Sequence, residues 1–384
     1  MQLAFPVAVS VKFLTNTGLY LHIPFCIKKC KYCDFYSGCA DNRKIDSYTD
    51  ALIREIKQWG GKITSPIDTI YFGGGTPSLL EHRLIDVMNV VRENFCVLEN
   101  SEITLEINPS GDSKKTLEYA IKAGINRLSI GIQSGDDEEL KILGRTHNFS
   151  EAEITFKMAR ELGFRNISAD LMIGLPFSAQ NEKLRSSLDK IIGLNPEHIS
   201  AYILKIEPKT AFYKDMEYLC LPDDEEVSEQ YLFMSRYLNE KGYSHYEISN
   251  FAKEGFESRH NVKYWTLEDY LGIGPSAHSF INGKRFYYPN DIKSFILGNE
   301  IISDGEGGDI EEYIMLSLRL KKGLNTEELY EKYNFTLPDN FYKKCETFEK
   351  AGFMDIKNNN FCLTDEGMLL SNSIISELLE EIGE

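Results

Sequence analysis

Strand-like and helix-like segments alternate through the first 245 residues, and this alternation limits the possible folds more than any other feature of the sequence. Six short segments rich in Ile, Leu, Val and aromatic residues are predicted strands: Leu19–Ile23, Ile67–Phe72, Glu102–Ile107, Arg127–Ile132, Ile167–Met172 and His198–Leu204. The amphipathic segments that follow them are predicted helices: Asn42–Trp59, Leu79–Asn94, Ser113–Ala123, Ser150–Leu162, Asn181–Ile192 and Asp223–Lys241. Repeated β-then-α units favour right-handed crossovers and a parallel sheet whose strands are buried on both faces.

Six such units are two fewer than a closed eight-stranded barrel needs, so the pattern predicts an α/β fold of the partial (β/α)6 TIM-like type. In parallel sheets of this kind, function collects in the loops that follow the carboxyl ends of the strands. The cysteine and glycine motifs described below lie directly after predicted strands. We therefore expect them to lie close together at one end of the barrel.

The pattern changes near residue 309, where three short predicted helices, a hairpin at 355–364 and a final helix over 365–381 suggest a winged-helix-like α+β module. Such modules often bind DNA, but residues 309–384 contain 8 basic and 16 acidic residues. We therefore predict a packing or substrate-covering domain and no nucleic-acid partner. The predicted domains are an N-terminal extension (1–18), the barrel (19–245), a connecting segment (246–308) and the C-terminal domain (309–384).

The chain as a whole is acidic, with a net charge of −17, which argues against a protein that coats nucleic acid or anionic lipid. Its eight cysteines in 384 residues are too few for a disulfide scaffold. The most apolar N-terminal run, Leu3 to Val11, is too short to span a bilayer and lacks the basic region of a secretory signal. We expect a cytoplasmic protein, because the clustered cysteines described next must stay reduced.

Cys26, Cys30 and Cys33 lie within eight positions of each other, directly after the first predicted strand. Three thiolates on one tight loop can bind three irons of a [4Fe–4S] cluster and leave the fourth iron open. The neighbouring lysines would partly offset the negative charge of the cluster and lower the thiol pKa values. From the spacing alone, two alternatives stay open: a zinc site completed by Cys39, or unrelated cysteines.

The Cys-x3-Cys-x2-Cys spacing, with an aromatic residue before the third cysteine, resembles the radical S-adenosylmethionine (SAM) superfamily. More narrowly, the run from Tyr20 to Cys26 resembles the branch that contains oxygen-independent coproporphyrinogen III oxidase and the heme chaperone HemW. The resemblance covers nearly the whole chain. It implies a [4Fe–4S] cluster at the three cysteines, bound SAM, and reductive cleavage of SAM to a 5′-deoxyadenosyl radical.

Residues 73–77, Gly-Gly-Gly-Thr-Pro, follow the second predicted strand. Three glycines let backbone amides and carbonyls close on a ligand, although alone a glycine-rich turn is a weak signal and can be a plain tight turn. The resemblance implies that this loop holds the methionine amino end of SAM. The implied contacts are Gly74, Gly75 and Thr76.

Polar side chains interrupt otherwise apolar strands at Glu106, Gln133 and Asp170. Buried polar groups need hydrogen-bond partners, and three strands that repeat the arrangement suggest a shared polar ligand such as a ribose. Any one of them alone is more simply a structural group. Arg145 has the geometry to hold the SAM carboxylate, or instead forms an ion pair with the acidic residues 136–139. The resemblance assigns to SAM binding Tyr20, Gly74, Gly75, Thr76, Glu106, Gln133, Arg145 and Asp170.

The sequence departs from the oxidase at Phe35, where the oxidase pattern has a further cysteine two places after the third. Also, only about 18 residues precede the first predicted strand, whereas the oxidase has a longer N-terminal arm. Residues 260–265 match the His-Asn-x-x-Tyr-Trp signature of the chaperone branch. His260 is therefore a candidate heme ligand, and the alternative is that it packs beneath the 272–276 loop.

These differences favour a protein that binds heme as cargo and transfers it to a membrane-associated acceptor protein. The resemblance also implies an electron donor. The second hypothesis is an enzyme, an oxygen-independent coproporphyrinogen III oxidase that decarboxylates its substrate to protoporphyrinogen IX. The missing cysteine at Phe35 and the motif at His260 separate the two hypotheses.

Overall fold

A computed structural model describes residues 16–177, 181–298 and 300–382. Residues 1–15 of the predicted N-terminal extension (1–18) therefore lie outside the described residues. None of the described helices combines the length and the apolar character that crossing a membrane requires.

Twelve of the described strands form one sheet. Their bounds are β1 Thr17–Ile23, β2 Ile67–Gly74, β3 Val97–Ile107, β4 Arg127–Gln133, β5 Asn166–Ile173, β6 His198–Ile203, β7 Ser244–Glu247, β8 Asn250–Ala252, β9 Tyr270–Ile273, β10 His278–Ile281, β11 Lys284–Tyr287 and β12 Ile302–Glu306. The order across the sheet is β12-β11-β10-β9-β1-β2-β3-β4-β5-β6-β8-β7. Strands β9 and β1 to β6 run parallel, so all six predicted strands are confirmed within an open barrel.

The helices that accompany this sheet are α1 Asn42–Gly60, α2 Arg83–Asn94, α3 Lys114–Ala123, α4 Asp137–Leu143, α5 Phe149–Glu161, α6 Asn181–Gly193, α7 Ala211–Lys214, α8 Asp224–Glu240, α9 Arg259–Thr266 and α10 Ile292–Leu297. Helix α2 begins later than predicted, because a 3-10 turn over Pro77–Leu80 precedes it. Helix α4 was not predicted. The segment 246–308 adds β8 beside β6 at one side of the sheet and β9 to β12 beside β1 at the other.

Successive residues of the barrel strands alternate between an apolar face and a polar face. The sequence predicts strands with apolar residues on both faces, so the structure differs from that prediction. In β4, Leu128 and Ile130 are fully buried in the main hydrophobic core. Arg127 and Ser129, which alternate with them along the strand, are also buried but polar. Because successive side chains of a strand point to opposite faces, the apolar set packs under the helices and the polar set faces the interior of the barrel. The interior is therefore suited to a polar ligand.

The C-terminal module consists of α11 Ile310–Ser317, β13 Leu324–Asn325, α12 Thr326–Tyr333, α13 Asp339–Lys350, β14 Met354–Lys357, β15 Asn360–Leu363, α14 Asp365–Leu369 and α15 Ser371–Glu380. Its three strands form a small separate sheet, so the predicted α+β module is confirmed. The prediction of one final helix over 365–381 is wrong in one respect: the structure has two helices there, α14 and α15, which are separated at Leu370.

The module is joined to the free side of β7 by backbone hydrogen bonds. Ile248 N–H donates to Arg319 O at 3.1 Å, and Lys321 N–H donates to Tyr246 O at 3.0 Å. A side-chain contact reinforces the junction, since Asp365 accepts hydrogen bonds from Lys321 at 2.7 Å and from Ser235 at 2.6 Å. The module thus continues the hydrogen bonding of the sheet.

Candidate functional site

The three clustered cysteines lie on the loop that follows β1, at the carboxyl end of the barrel strands. Backbone hydrogen bonds close the loop on itself, from Cys26 N–H to Gly38 O at 3.1 Å and from Gly38 N–H to Pro24 O at 3.0 Å. Cys26, Cys30 and Cys33 are all partly buried, which gives a ligand access to their sulfurs. The loop is therefore held in shape by its own backbone.

Two hydrogen-bond donors from other loops reach the cysteine sulfurs. The Thr76 hydroxyl donates to Cys26 Sγ at 3.6 Å, and Arg145 Nη1 donates to Cys30 Sγ at 3.5 Å. Burial raises the pKa of Cys33, and the neighbouring sulfurs of Cys30 and Cys26 also raise it, so the expected lowering by the lysines is wrong for this thiol, where Lys29 offsets only part of the increase. Three thiols that interact electrostatically, with donors directed at their sulfurs, fit the ligand set of a [4Fe–4S] cluster.

Cys39, which the zinc alternative requires as a fourth ligand, is exposed and donates its thiol to Ile27 O at 3.2 Å. Across the described ranges, no three His, Cys, Asp or Glu side chains gather closely enough to hold a single metal ion. The contact of Cys39 with Ile27 gives the zinc alternative no support.

The glycine loop after β2 packs directly on the cysteine loop. A Cβ at position 75 would come within 2.5 Å of Phe25 O and 2.8 Å of Phe25 N. Gly74 adopts φ +111°, and a Cβ there would lie 2.5 Å from the ring of His22. Only glycine fits these two positions, because a Cβ at position 75 would meet backbone atoms that cannot move aside, and position 74 has a positive φ that other residues rarely adopt. The glycines therefore bring Thr76 into contact with Cys26.

A chain of side-chain hydrogen bonds connects the two donors that reach the sulfurs. Asn108 Nδ2 donates to Thr76 Oγ1 at 2.9 Å, and Asn108 Oδ1 accepts from Arg145 Nη2 at 2.6 Å. Asn108 follows β3, and Arg145 follows α4, whose C-cap residue is Gly144 with φ +78°. Sequence reasoning did not place Asn108 in the site. The only local signal was its position directly after a strand and before Pro109.

Arg145 contacts the cysteine loop and not the acidic segment that the sequence offered as an alternative partner. Its Nη2 also donates to Gly131 O at 2.5 Å, while its Nε is buried and forms no hydrogen bond within the described residues. A guanidinium with an unsatisfied nitrogen beside the cysteines suits a carboxylate ligand. Arg145 thus fits the methionine end of SAM.

Glu106 lies against the glycine loop. Its two carboxylate oxygens accept hydrogen bonds from Tyr71 Oη at 2.9 Å and from Gly74 N at 3.0 Å. Burial, together with the nearby Asp170 carboxylate, raises the pKa of Glu106 to about 7. Tyr71, which sequence reasoning missed, therefore orients a carboxyl group that titrates near neutral pH.

Asp170 and Gln133 complete the polar set on β5 and β4. The Ser129 hydroxyl donates to both carboxylate oxygens of Asp170, at 3.0 and 3.2 Å, and burial raises the pKa of Asp170. Gln133 ends β4 with φ +75°. A Cβ at Gly131 would lie 3.0 Å from Gln133 Nε2 and 3.2 Å from Arg145 Nη2, so these two side chains converge there.

Tyr20 and His22 project from β1 toward the same end of the barrel. Tyr20 Oη lies 2.9 Å from His22 Nδ1, and His22 Nε2 lies 3.0 Å from Tyr36 O. Burial lowers the pKa of His22, which keeps the imidazole neutral. His22 therefore both contacts the glycine loop and holds the cysteine loop through Tyr36.

His260 lies near the amino ends of β1 and β2, and its ring stacks on Tyr71 and on Tyr20, with ring centroids 5.3 and 6.4 Å away. Its Nδ1 is 2.8 Å from Thr69 Oγ1 and its Nε2 is 2.8 Å from Tyr264 Oη, while only 1% of the residue is exposed. Thr69 precedes Gly74 by five residues of β2, roughly 16 Å along an extended strand. Both ring nitrogens lie within hydrogen-bond distance of hydroxyl groups, and the neighbours of the ring belong to β1, β2 and α9 and not to the 272–276 loop. The heme-ligand role of His260 stays a prediction.

Comparison with known proteins agrees with this geometry. The model of the radical SAM superfamily matches residues 20–187, and the model of the HemN C-terminal domain matches residues 309–370. The heme chaperone HemW of Bacillus subtilis is 36% identical over 94% of this chain and 99% of its own length. HemW of Escherichia coli is 34% identical over 96% of this chain and 99% of its own length. The chain belongs to the HemW family.

Among solved structures, coproporphyrinogen III oxidase (HemN) from Escherichia coli, described as a radical SAM enzyme, gives a TM-score of 0.81. It is 24% identical and covers 95% of this chain and 90% of its own. At that identity the similarity shows the fold, a radical SAM partial barrel with a HemN-type C-terminal domain. As a HemW-family member, the chain is a radical SAM protein, and the superfamily implies a [4Fe–4S] cluster and SAM.

Proposed function

We propose that the protein is a heme chaperone, which binds heme and passes it to an acceptor protein, either soluble or membrane-associated. The observation that carries this proposal is the end-to-end similarity to proteins named heme chaperone HemW, at 30–36% identity. The proposal includes an electron donor for the cluster. It also includes a cytoplasmic location, because the thiols at the cysteine loop must stay reduced.

The geometry of the carboxyl end of the barrel supports the proposed cofactor roles. Cys26, Cys30 and Cys33 would hold a [4Fe–4S] cluster, which together with bound SAM supplies one-electron cleavage of the sulfonium. The glycine loop would bind the amino group of SAM, and Arg145 its carboxylate. The remaining proposed contacts with SAM are Tyr20, Thr76, Glu106, Gln133 and Asp170.

Phe35 supports the chaperone over the oxidase. It occupies the place of the oxidase's further cysteine, and 69% of the residue is exposed. A phenyl ring neither ligates a metal nor transfers a proton. The similarity of the fold to coproporphyrinogen III oxidase favours the enzyme as the second candidate.

An anaerobic experiment on cluster-reconstituted protein separates the two candidates. One arm titrates heme and follows its Soret absorbance, and the other supplies coproporphyrinogen III with SAM and a reductant. We expect saturable heme binding and no protoporphyrinogen. Turnover to protoporphyrinogen would establish the oxidase, and an absence of heme binding would contradict the chaperone.

A further inference from the structure

Large apolar side chains are exposed on two segments at the carboxyl end of the barrel. On the cysteine loop, Ile27 is 75% and Phe35 is 69% exposed. On α7 and the turn that follows it, Tyr213 is 50%, Met216 48% and Tyr218 81% exposed. We name these five residues the apolar rim. Exposed apolar residues that occur as a group, and not singly, mark a binding surface.

The two segments of the rim are fixed beside each other. Phe212 N–H donates to Lys31 O at 2.9 Å, which ties α7 to the cysteine loop. Beneath them lies a small hydrophobic cluster, separate from the main core, in which buried Phe212 packs with Leu143 and Met172, and Tyr32 packs against it. The rim residues therefore project outward from a packed base and are not themselves part of that base.

The rim also carries a local excess of exposed lysines on an otherwise acidic chain. Lys28, Lys29 and Lys31 lie on the cysteine loop, where Asp34 is the one exposed acidic residue between Cys26 and Cys39; Lys209 precedes α7 and Lys214 ends it, next to Asp215 and Glu217. Within the described residues, neither Lys28 nor Lys214 forms an ion pair. On a chain of net charge −17, cations beside apolar side chains favour an occupant that is both apolar and anionic.

Heme has that chemistry, since it combines a flat apolar macrocycle with two propionate carboxylates. We propose that the apolar rim is the surface that receives the heme cargo, with the macrocycle against Phe35 and Tyr213 and the propionates near Lys28 and Lys214. This inference rests on the proposed heme-chaperone function. Aromatic faces stack well on a porphyrin, and the lysines are long enough to follow its carboxylates.

The test is a heme titration of the cluster-reconstituted full chain and its variants. Phe35→Ser and Tyr213→Ser are each expected to weaken heme binding about tenfold, the effect of losing one buried aromatic contact. Leu297→Ser and Tyr330→Ser are matched controls, because these side chains are 81% and 54% exposed but lie outside the rim. We expect the controls to bind heme within about twofold of the unmodified protein. Iron and sulfide content, measured in parallel, shows whether a variant has kept its cluster.

A second arm tests the charges. The double variant Lys28→Glu/Lys214→Glu is expected to weaken binding of heme about tenfold but to leave binding of heme dimethyl ester unchanged, because the ester has no propionate charge. Equal losses for both probes would overturn the assignment of the propionates to these lysines.

Three other results would overturn the rim as the heme surface. In the first, the rim variants bind heme as tightly as the unmodified protein, and His260→Ala loses binding. That result would place the cargo at α9 and leave the proposed function standing. Another is a dimer, seen by sedimentation, that the rim variants dissociate without any change in heme binding, because the rim would then bind a second copy. Failure of the unmodified protein to bind heme at all would instead refute the proposed function itself.

Discussion

The hydrogen bonds of Asn108 provide a specific test of the site, because this side chain connects the glycine loop to Arg145. Its amide donates to Thr76 at 2.9 Å and accepts from Arg145 at 2.6 Å, and each of these partners reaches a cysteine sulfur. Asn108→Ala removes both bonds without touching a cysteine. We expect the variant to keep its cluster and to bind SAM more weakly.

The size of the effect follows from the two bonds. A hydrogen bond between neutral groups contributes about 1 kcal/mol and one to a charged group about 1.5–3 kcal/mol. Arg145 keeps its bond to Gly131 O, so part of the arrangement survives the substitution. Since about 1.4 kcal/mol corresponds to a tenfold change, we expect SAM affinity to fall by about 10- to 100-fold.

The assay is equilibrium binding of SAM to reconstituted protein, with iron content measured on the same samples. Asn126→Ala is the matched control, because Asn126 also makes two hydrogen bonds, to Ile103 N and Ser101 O, each 2.8 Å long. Asn126 lies before β4, at the opposite end of the strands, so its loss should reduce stability but not SAM affinity. Unchanged SAM binding in Asn108→Ala, or an equal loss in Asn126→Ala, would refute the reasoning.

Three further predictions concern single side chains. Cys30→Ala is expected to abolish the visible absorbance of the reconstituted cluster, whereas Cys39→Ala should keep it; unchanged iron content in Cys30→Ala would exclude the assignment. Because the pKa of Glu106 rises from 4.5 to about 7 on folding, the apoprotein should lose stability as the pH increases through that interval. Glu106→Gln should therefore raise the free energy of unfolding at pH 8 by about 2 kcal/mol and change it little at pH 4, which urea titrations at the two pH values measure. Asp365→Ala should lower the free energy of unfolding by about 2–4 kcal/mol, because it leaves buried donors unpaired. The control Asp355→Ala, at an exposed ion pair, should change the free energy of unfolding by less than about 0.5 kcal/mol. Equal losses in the two variants would show that the junction adds no more stability than a surface ion pair.

The parts of the fold that the sequence predicted are those encoded by local patterns. The six barrel strands and the cysteine and glycine motifs were all readable because each is a continuous run with a clear period or spacing. Helix α4 was not predicted because it is only seven residues long and buries few apolar side chains. Strands β7 to β12 are three to five residues long and pair mostly antiparallel, so no periodic pattern marks them.

The contacts within the site were predictable only where a motif names the residue. Asn108 and Tyr71 act through partners far along the chain, 37 residues away for Arg145 and 35 for Glu106. Nothing local in the sequence indicates those partners, which come together only when β2, β3 and β4 align. His260 shows the converse case: a motif suggests a heme ligand, and the hydrogen-bond partners that the fold gives its ring, Thr69 and Tyr264, could not be read from that motif.

The backbone junction between the C-terminal module and β7 bears on how the chain avoids aggregation. An open sheet has two edges, and unpaired strand edges recruit other chains. At one edge the module occupies the hydrogen-bonding groups of Tyr246 and Ile248. At the other, β12 is fully exposed but carries Asp304 and Glu306, whose charges discourage pairing. A chain that ended before residue 309 would uncover the β7 edge, and we expect such a truncated barrel to self-associate.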